Sequence, residues 1–179
     1  IVDSSDKLEN KKKNFLKFKN DFINKNFENH IIKTMWNVIN DVNISEIIVL
    51  DLFDGVETDL DEKVKIKTKK DLLVYSYRVA GTVGLMMSKI LKVNNKEALK
   101  GAIDLGIAMQ LTNIARDVIE DKNRNREYID YNFSSIENTI YNAEIFYKKS
   151  FLSISCIPVK SRFCVIVARR VYKKIGDCI

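Results

Sequence analysis

Helix-breaking residues are scarce in this chain: proline occurs once, at Pro158, and glycine six times in 179 residues. Proline ends or kinks a helix because it lacks an amide hydrogen and clashes with the preceding turn. No segment alternates apolar and polar residues over the length of a strand. The sequence therefore predicts an all-α protein built from long helices.

Apolar residues recur three or four positions apart along most of the chain, which is the spacing of one helix face. Two capping boxes mark helix starts, one formed by Asn94 and Glu97 and the other by Ser134 and Glu137. The predicted helices are 7–29, 30–41, 71–91, 95–121, one that opens at Ser134 and one that follows Pro158. We expect the third and fourth of these to pack together at the centre of the fold.

Composition argues against several classes of function. The net charge of +6 comes from lysines scattered among acidic residues, and no nucleic-acid-binding module is visible. A single histidine, His30, argues against a histidine-rich metal site. The three cysteines lack metal-type spacing and are expected to be free thiols. No apolar run approaches the ~20 residues of a membrane span. Together, these features predict one cytoplasmic domain without a nucleic-acid partner.

A polar stripe runs along the segment that is richest in chemistry. Gly106, Gln110, Asn113, Asp117 and Asp121 are spaced by three or four positions, so a helix places them on one face. Amide and carboxylate oxygens are ligands that suit a hard cation such as Mg²⁺, which commonly bridges carboxylates to substrate phosphates. The stripe therefore indicates a metal and phosphate site.

The alternative interpretation is a solvated helix face, because acidic residues four positions apart are common on helix surfaces. The neighbours of the stripe are apolar, however, which is typical of a buried helix. They are Leu105, Ala108, Leu111 and Ile114. Both interpretations stay open on the spacing alone.

Two long motifs resemble signatures of a known family. The segment Gln110-Leu-Thr-Asn113-Ile-Ala-Arg116-Asp117, followed by Glu120-Asp121 and Arg126-x-Tyr128, resembles the second aspartate-rich motif of squalene/phytoene synthases. Upstream, Tyr75-Ser-Tyr77-Arg78-Val79-Ala80-Gly81-Thr82-Val83-Gly84 resembles the other long signature of that family. Their order and separation also agree with the family.

Weaker similarity extends over most of the remaining chain. Gly55 and Asp59 fit a G-x-x-x-D-L element, and 157–176 resembles the C-terminal helices of bacterial phytoene synthases. Ile129-Asp130 departs from the Leu-Pro that the family usually has after the second motif.

The resemblance implies an isoprenoid-synthase-like helical bundle around a central hydrophobic cavity. It implies a single partial domain over 1–179 that is incomplete at both ends, so the fragment alone is not expected to turn over. The implied activity is a prenyltransferase of the phytoene synthase type in carotenoid biosynthesis. Two geranylgeranyl diphosphates would condense head to head through a cyclopropyl diphosphate. The alternatives are a relative that uses farnesyl diphosphate to form squalene, presqualene diphosphate or dehydrosqualene, and a noncatalytic scaffold protein.

The resemblance also assigns roles to individual residues. The implied metal ligands are Asn113, Asp117, Asp121 and Asp3, the last being the final acid of a first aspartate-rich motif. The implied catalytic residues are Asp117, Asp121, Tyr75 and Arg116. The implied substrate-binding residues are Gln110, Arg78, Val79, Val83, Gly84, Arg126, Tyr128 and Tyr172. Tyr75, Val79 and Val83 share a helix stripe and are expected to line a prenyl tunnel.

Mg²⁺ is the implied cofactor, with Mn²⁺ as an alternative and no requirement for NADPH. The implied partners are prenyl diphosphate substrates. Because the product is lipophilic, peripheral association with the inner membrane is also left open.

Overall fold

The computed structural model describes residues 7–179, and this part of the chain is almost entirely helical. The α-helices are α1 (Leu8–Ile23), α2 (His30–Asp41), α3 (Glu46–Thr58), α4 (Lys69–Ser76), α5 (Thr82–Ile90), α6 (Lys96–Arg116), α7 (Val118–Asn123), α8 (Phe133–Phe151) and α9 (Val159–Asp177). A π-helix, Tyr77–Gly81, joins α4 to α5, and a 3₁₀-helix, Leu152–Cys156, follows α8. The all-α prediction is confirmed. No helix in the described residues is long and apolar enough to cross a bilayer.

Several helix boundaries differ from the predicted ones. Asn95, not Asn94, caps α6 by accepting a hydrogen bond of 3.0 Å from the Ala98 amide. Asn132 caps α8 through the Ser135 amide, two positions before the predicted start. Asparagine caps a helix as well as serine does, so sequence alone could not choose between adjacent candidates.

Two predicted helices are interrupted. The π-helix divides the predicted helix 71–91 into α4 and α5. The helix predicted to reach Asp121 ends at Arg116, because Asp117 leaves helical geometry with φ −98° and ψ 14°. Interruptions of this kind, a π-turn above all, frequently occur at functional sites.

A two-stranded parallel pair was not predicted. β1 (Val64–Lys65) pairs with β2 (Arg126–Glu127), with Val64 opposite Arg126. Strands of two residues are too short to show an alternating pattern, so no local signal marks them. The pair fixes the segment after α7 against the connection between α3 and α4.

Helix α6 lies at the centre and packs against α8, α5, the π-helix and α9. Glycines allow two of these close approaches. A Cβ on Gly84 would lie 2.3 Å from the Ala102 carbonyl oxygen, and a Cβ on Gly106 would lie 2.3 Å from the Ala80 carbonyl oxygen. Any side chain at either position would therefore push α6 away from its neighbours. The predicted central packing is confirmed.

The buried apolar residues form two clusters. The N-terminal cluster joins α1, α2 and α3, and its members include Phe15, Phe22, Ile32, Trp36 and Phe53. The central cluster surrounds α6 and α8, and its members include Tyr75, Ala108, Leu111, Ile114 and Tyr147. The residues of the sequence motifs lie in or beside the central cluster.

Candidate active site

An apolar cavity of about 400 Å³ lies between α5, α6, the 3₁₀-helix and α9. Its wall is formed largely by aliphatic side chains, among them Val79, Val83, Leu91, Leu105, Met109 and Val165. The residues that α6 contributes run from Ala98 to Asn113. At 1.5 Å per residue, this wall is about 22 Å long. A cavity of this length and composition fits an extended hydrocarbon chain.

The two amide side chains of the cavity wall, Gln110 and Asn113, lie toward the C-terminal end of α6. Tyr172 of α9 also lines the cavity, as do three serines, Ser88, Ser150 and Ser153. The Oδ1 atom of Asn113 is buried and has no hydrogen-bond partner in the described part of the chain. A buried oxygen without a partner costs about 1–3 kcal/mol, so it marks a place where a ligand would stabilise the protein.

Asp117 and Asp121 continue the polar face beyond the end of α6. The Asp117 amide donates to the Asn113 carbonyl, and the Asp121 amide donates to the Asp117 carbonyl, each at 2.8 Å. These bonds preserve helical spacing across the interruption at Asp117. The three residues therefore stay on one face, as the sequence predicts.

The two carboxylates differ in their surroundings. Burial, followed by the charge of the nearby Asp117 carboxylate, raises the pKa of Asp121 to about 6. Asp117 instead accepts two hydrogen bonds from the Arg116 guanidinium, at 2.6 and 2.7 Å. This pairing holds the pKa of Arg116 above its usual value.

The donor set fits a hard cation. An unpartnered amide oxygen and a carboxylate that resists ionisation would both be stabilised by positive charge. Within residues 7–179, however, no three histidine, cysteine or acidic side chains converge as a preformed metal cluster. Arg116 would have to release Asp117 before that carboxylate could bind a metal.

A hydrogen-bonded group lies on the other side of the π-helix. The Tyr128 hydroxyl donates to Asp59 Oδ1 at 2.6 Å, and the Tyr75 hydroxyl lies 3.0 Å from both Asp59 carboxylate oxygens. The two rings stack with centroids 4.8 Å apart. Burial, followed by the charge of Asp59, raises the pKa of both tyrosines.

The family model of squalene/phytoene synthase matches residues 1–129. The chain belongs to the squalene/phytoene synthase family. Curated relatives include 15-cis-phytoene synthases from Paracoccus sp., 32% identical over 145 residues, and from Pantoea ananas, 32% identical over 155 residues. The aligned parts cover 71% and 75% of this chain but 47% and 50% of those relatives. The chain thus spans about half the length of the curated relatives it matches.

Two further similarities concern part of the sequence and the fold. A phytoene synthase from Thermus thermophilus is 51% identical over 80 residues, which is 45% of this chain and 27% of that protein. Among solved structures, squalene synthase HpnC from Alicyclobacillus acidocaldarius matches with a TM-score of 0.69 at 17% identity. The match covers 83% of this chain and 64% of the HpnC chain. At 17% identity, it shows the fold alone.

The structure brings together most of the cavity residues expected from the family resemblance. Val79, Val83, Gly84, Gln110 and Tyr172 all line the cavity. Gly84 contributes backbone, because its missing side chain faces the α6 carbonyl of Ala102 and not the cavity.

The expected position of Tyr75 was wrong. Tyr75 does not line the cavity with Val79 and Val83; it is 6% exposed and contacts Asp59 and Tyr128. The π-helix begins two residues after Tyr75 and changes the rotation per residue, so a continuous α-helical stripe is not a valid guide here.

Two of the predicted substrate-binding residues are arginines, Arg78 and Arg126. Arg78 is 3.5 Å from the Asp54 carboxylate of α3, so the charge of this residue is paired within the protein. Arg126 borders a small second cavity together with Asp121 and Tyr128. The predicted metal ligand Asp3 lies outside the described residues.

Sequence reasoning gave no role to Asp59. The only signal was the short G-x-x-x-D-L element, which has no chemistry of its own. Its contacts with Tyr75 and Tyr128 span 16 and 69 residues of sequence, so no local pattern could reveal them.

Proposed function

We propose that this chain is part of a prenyltransferase that condenses two geranylgeranyl diphosphates head to head to form phytoene. The observation that carries the proposal is the long apolar cavity whose wall ends at Gln110 and Asn113, one helical turn before Asp117. An apolar tunnel next to amide and carboxylate oxygens matches a substrate with a hydrocarbon tail and a diphosphate head. The phytoene synthases among the relatives support the C20 substrate.

In the proposed reaction, the bond between C1 and the diphosphate oxygen of one substrate breaks, and the electron pair leaves with the diphosphate. The double bond of the second substrate forms the new carbon–carbon bond, and loss of a proton closes the cyclopropane. A second ionisation, rearrangement and proton loss give the hydrocarbon. The apolar wall formed by Val79, Val83 and Leu105 offers no side-chain polar group that would hold water beside the cations.

Asn113, Asp117 and Asp121 would hold Mg²⁺, with Mn²⁺ as an alternative. When bound, the metal supplies positive charge that stabilises the departing diphosphate. Arg116 is hydrogen-bonded to Asp117 and Arg126 lies beside Asp121, so each adds positive charge next to a proposed metal ligand. Two positive groups that face developing negative charge lower the barrier to ionisation.

Product analysis of the full-length protein tests the proposal. With geranylgeranyl diphosphate and Mg²⁺, and without NADPH, we expect a C40 hydrocarbon. Turnover of farnesyl diphosphate alone, with a C30 product, would transfer the assignment to a squalene- or dehydrosqualene-forming relative. No turnover of either substrate, with Mg²⁺ or Mn²⁺, would favour the noncatalytic alternative.

A further inference from the structure

Asp59 lies at the C-terminal end of α3, where two phenols meet its carboxylate. The hydroxyl oxygens of Tyr75 and Tyr128 lie 3.0 Å apart. Each hydroxyl carries one proton and an ionised carboxylate carries none, so both hydroxyls can donate to Asp59 at once. Hydrogen bonds to an ionised acceptor are shorter and stronger than neutral ones, which agrees with the 2.6 Å contact from Tyr128.

The backbone of Asp59 makes a further contact with the same segment. Arg126 Nη2 donates to the Asp59 carbonyl oxygen at 3.2 Å. Asp59 therefore contacts both defined residues of the Arg126-x-Tyr128 motif, one through its main chain and the other through its side chain.

The segment that carries Arg126 and Tyr128 needs support from outside. Asn125 has a positive φ of 59°, and the segment follows the short helix α7. On one side, the amides of Val64 and Ile66 donate to the carbonyls of Asn125 and Glu127, each at 3.0 Å. On the other side lies Asp59.

We propose that Asp59 is a positioning residue: it holds the segment of Arg126 and Tyr128 beside Asp121, so that the Arg126 guanidinium can contact the substrate diphosphate. Asp121, Arg126 and Tyr128 border one small cavity, and Asp59 makes hydrogen bonds to the last two of them. This inference rests on the proposed function, because it assumes that a diphosphate binds at the Asp121 face.

The test replaces Asp59 with asparagine in the full-length protein. Asp59→Asn keeps the shape but removes the negative charge that accepts from both phenols. The matched control is Asp61→Asn two positions later, because Asp61 contacts Lys12 at the surface and its side chain is 54% exposed. Tyr128→Phe provides a second variant that removes the 2.6 Å bond from the other side.

Hydrogen exchange reports whether the segment is held. We expect the Val64 and Ile66 amides to exchange about tenfold faster in Asp59→Asn and in Tyr128→Phe than in Asp61→Asn, because their acceptors lie on the released segment. This measurement needs no substrate and no turnover.

Binding and kinetic measurements show whether fixing the segment of Arg126 and Tyr128 contributes to diphosphate binding. With inorganic diphosphate and Mg²⁺ as the probe, we expect the dissociation constant to rise about tenfold in Asp59→Asn and less than about twofold in Asp61→Asn. In steady-state assays the KM for the prenyl diphosphate should rise more than kcat falls. The double variant Asp59→Asn/Tyr128→Phe should be little worse than either single one, since both remove the same interaction.

Faster exchange without a change in diphosphate affinity would overturn the inference, because Asp59 would then only stabilise the fold. Unchanged exchange in Asp59→Asn would overturn it as well. If Asp59→Asn weakens binding of inorganic diphosphate but the wild type turns over no prenyl diphosphate, the inference is supported and the proposed function is refuted.

Discussion

The N-terminal and central clusters differ in how their polar groups are satisfied. In the N-terminal cluster, Phe22 stacks on Trp36 with ring centroids 5.0 Å apart, and Trp36 Nε1 donates to the Phe22 carbonyl at 3.1 Å. Beside the central cluster, Asn113 Oδ1 is buried without a partner in the described residues, and Asp121 resists ionisation. Unsatisfied groups of this kind are rare in folded proteins and tend to mark function.

The comparison indicates a division of labour between two regions. The N-terminal cluster gains stability from complete packing, whereas the region beside the central cluster gives up some stability to keep a cavity and oxygen ligands available. Stability and activity should therefore respond to mutation in different places.

The largest expected effect on stability is in the N-terminal cluster. Phe22→Ala should lower the free energy of unfolding by about 3–5 kcal/mol, because it leaves a cavity among packed rings. Urea denaturation measures this. Phe27→Ala, at a ring that is 49% exposed, is the control and should change stability by less than about 0.5 kcal/mol. A fall in turnover per folded molecule in Phe22→Ala would break the proposed division.

The largest expected effect on turnover is at the polar face that carries Asp117 and Asp121. Asp117→Asn or Asp121→Asn should reduce turnover on the order of a hundredfold or more while the fold stays intact, because each removes charge needed at the site. Product formation per folded molecule is the measurement, and Asp177→Asn on the surface of α9 is the control. Unchanged turnover in both variants would remove these residues from the site.

An intermediate effect is expected in the cavity wall. Val83→Phe should slow the longer substrate more than farnesyl diphosphate, because added volume in the wall costs about 1–3 kcal/mol and a longer chain has fewer ways to avoid it. Val74→Phe is a matched control, since both valines are 41% exposed but Val74 lies on α4 outside this cavity. Equal slowing of both substrates by Val83→Phe would show that this wall does not measure chain length.

Sequence reasoning succeeded where the signal is local and periodic. Helical spacing predicts the stripe of Gln110, Asn113 and Asp117. Backbone hydrogen bonds with the i to i+4 spacing of an α-helix continue past Arg116 and keep Asp117 on this face. The helical class followed in the same way from the scarcity of proline.

Sequence reasoning failed where distant segments decide the structure. The π-helix moves Tyr75 away from the cavity, and β1 and β2 are too short to leave a pattern. Asp59 meets Tyr128 across 69 residues of sequence. Such contacts depend on tertiary packing, which periodicity does not encode.

The smallest expected effect is a pH dependence that separates the two regions again. The pKa of Asp121 is raised by burial from 3.8 to about 6, so the folded protein holds this proton more tightly than the unfolded chain does. Without metal, the stability linked to Asp121 is therefore present below about pH 3.8 and is lost as the pH rises through about 6. Urea denaturation in the presence of a chelator, at several pH values across this range, measures the free energy of unfolding. This free energy should fall more steeply with pH in wild type than in Asp121→Asn.

Two further measurements separate the regions. Phe22→Ala should keep the wild-type slope of unfolding free energy against pH, because the buried members of the N-terminal cluster carry no ionisable side chain. Added Mg²⁺ should restore stability at pH 7 in wild type more than in Asp121→Asn, since a bound cation favours the ionised carboxylate. Equal slopes in wild type and Asp121→Asn would mean that this carboxylate ionises as freely in the folded protein as in the unfolded chain.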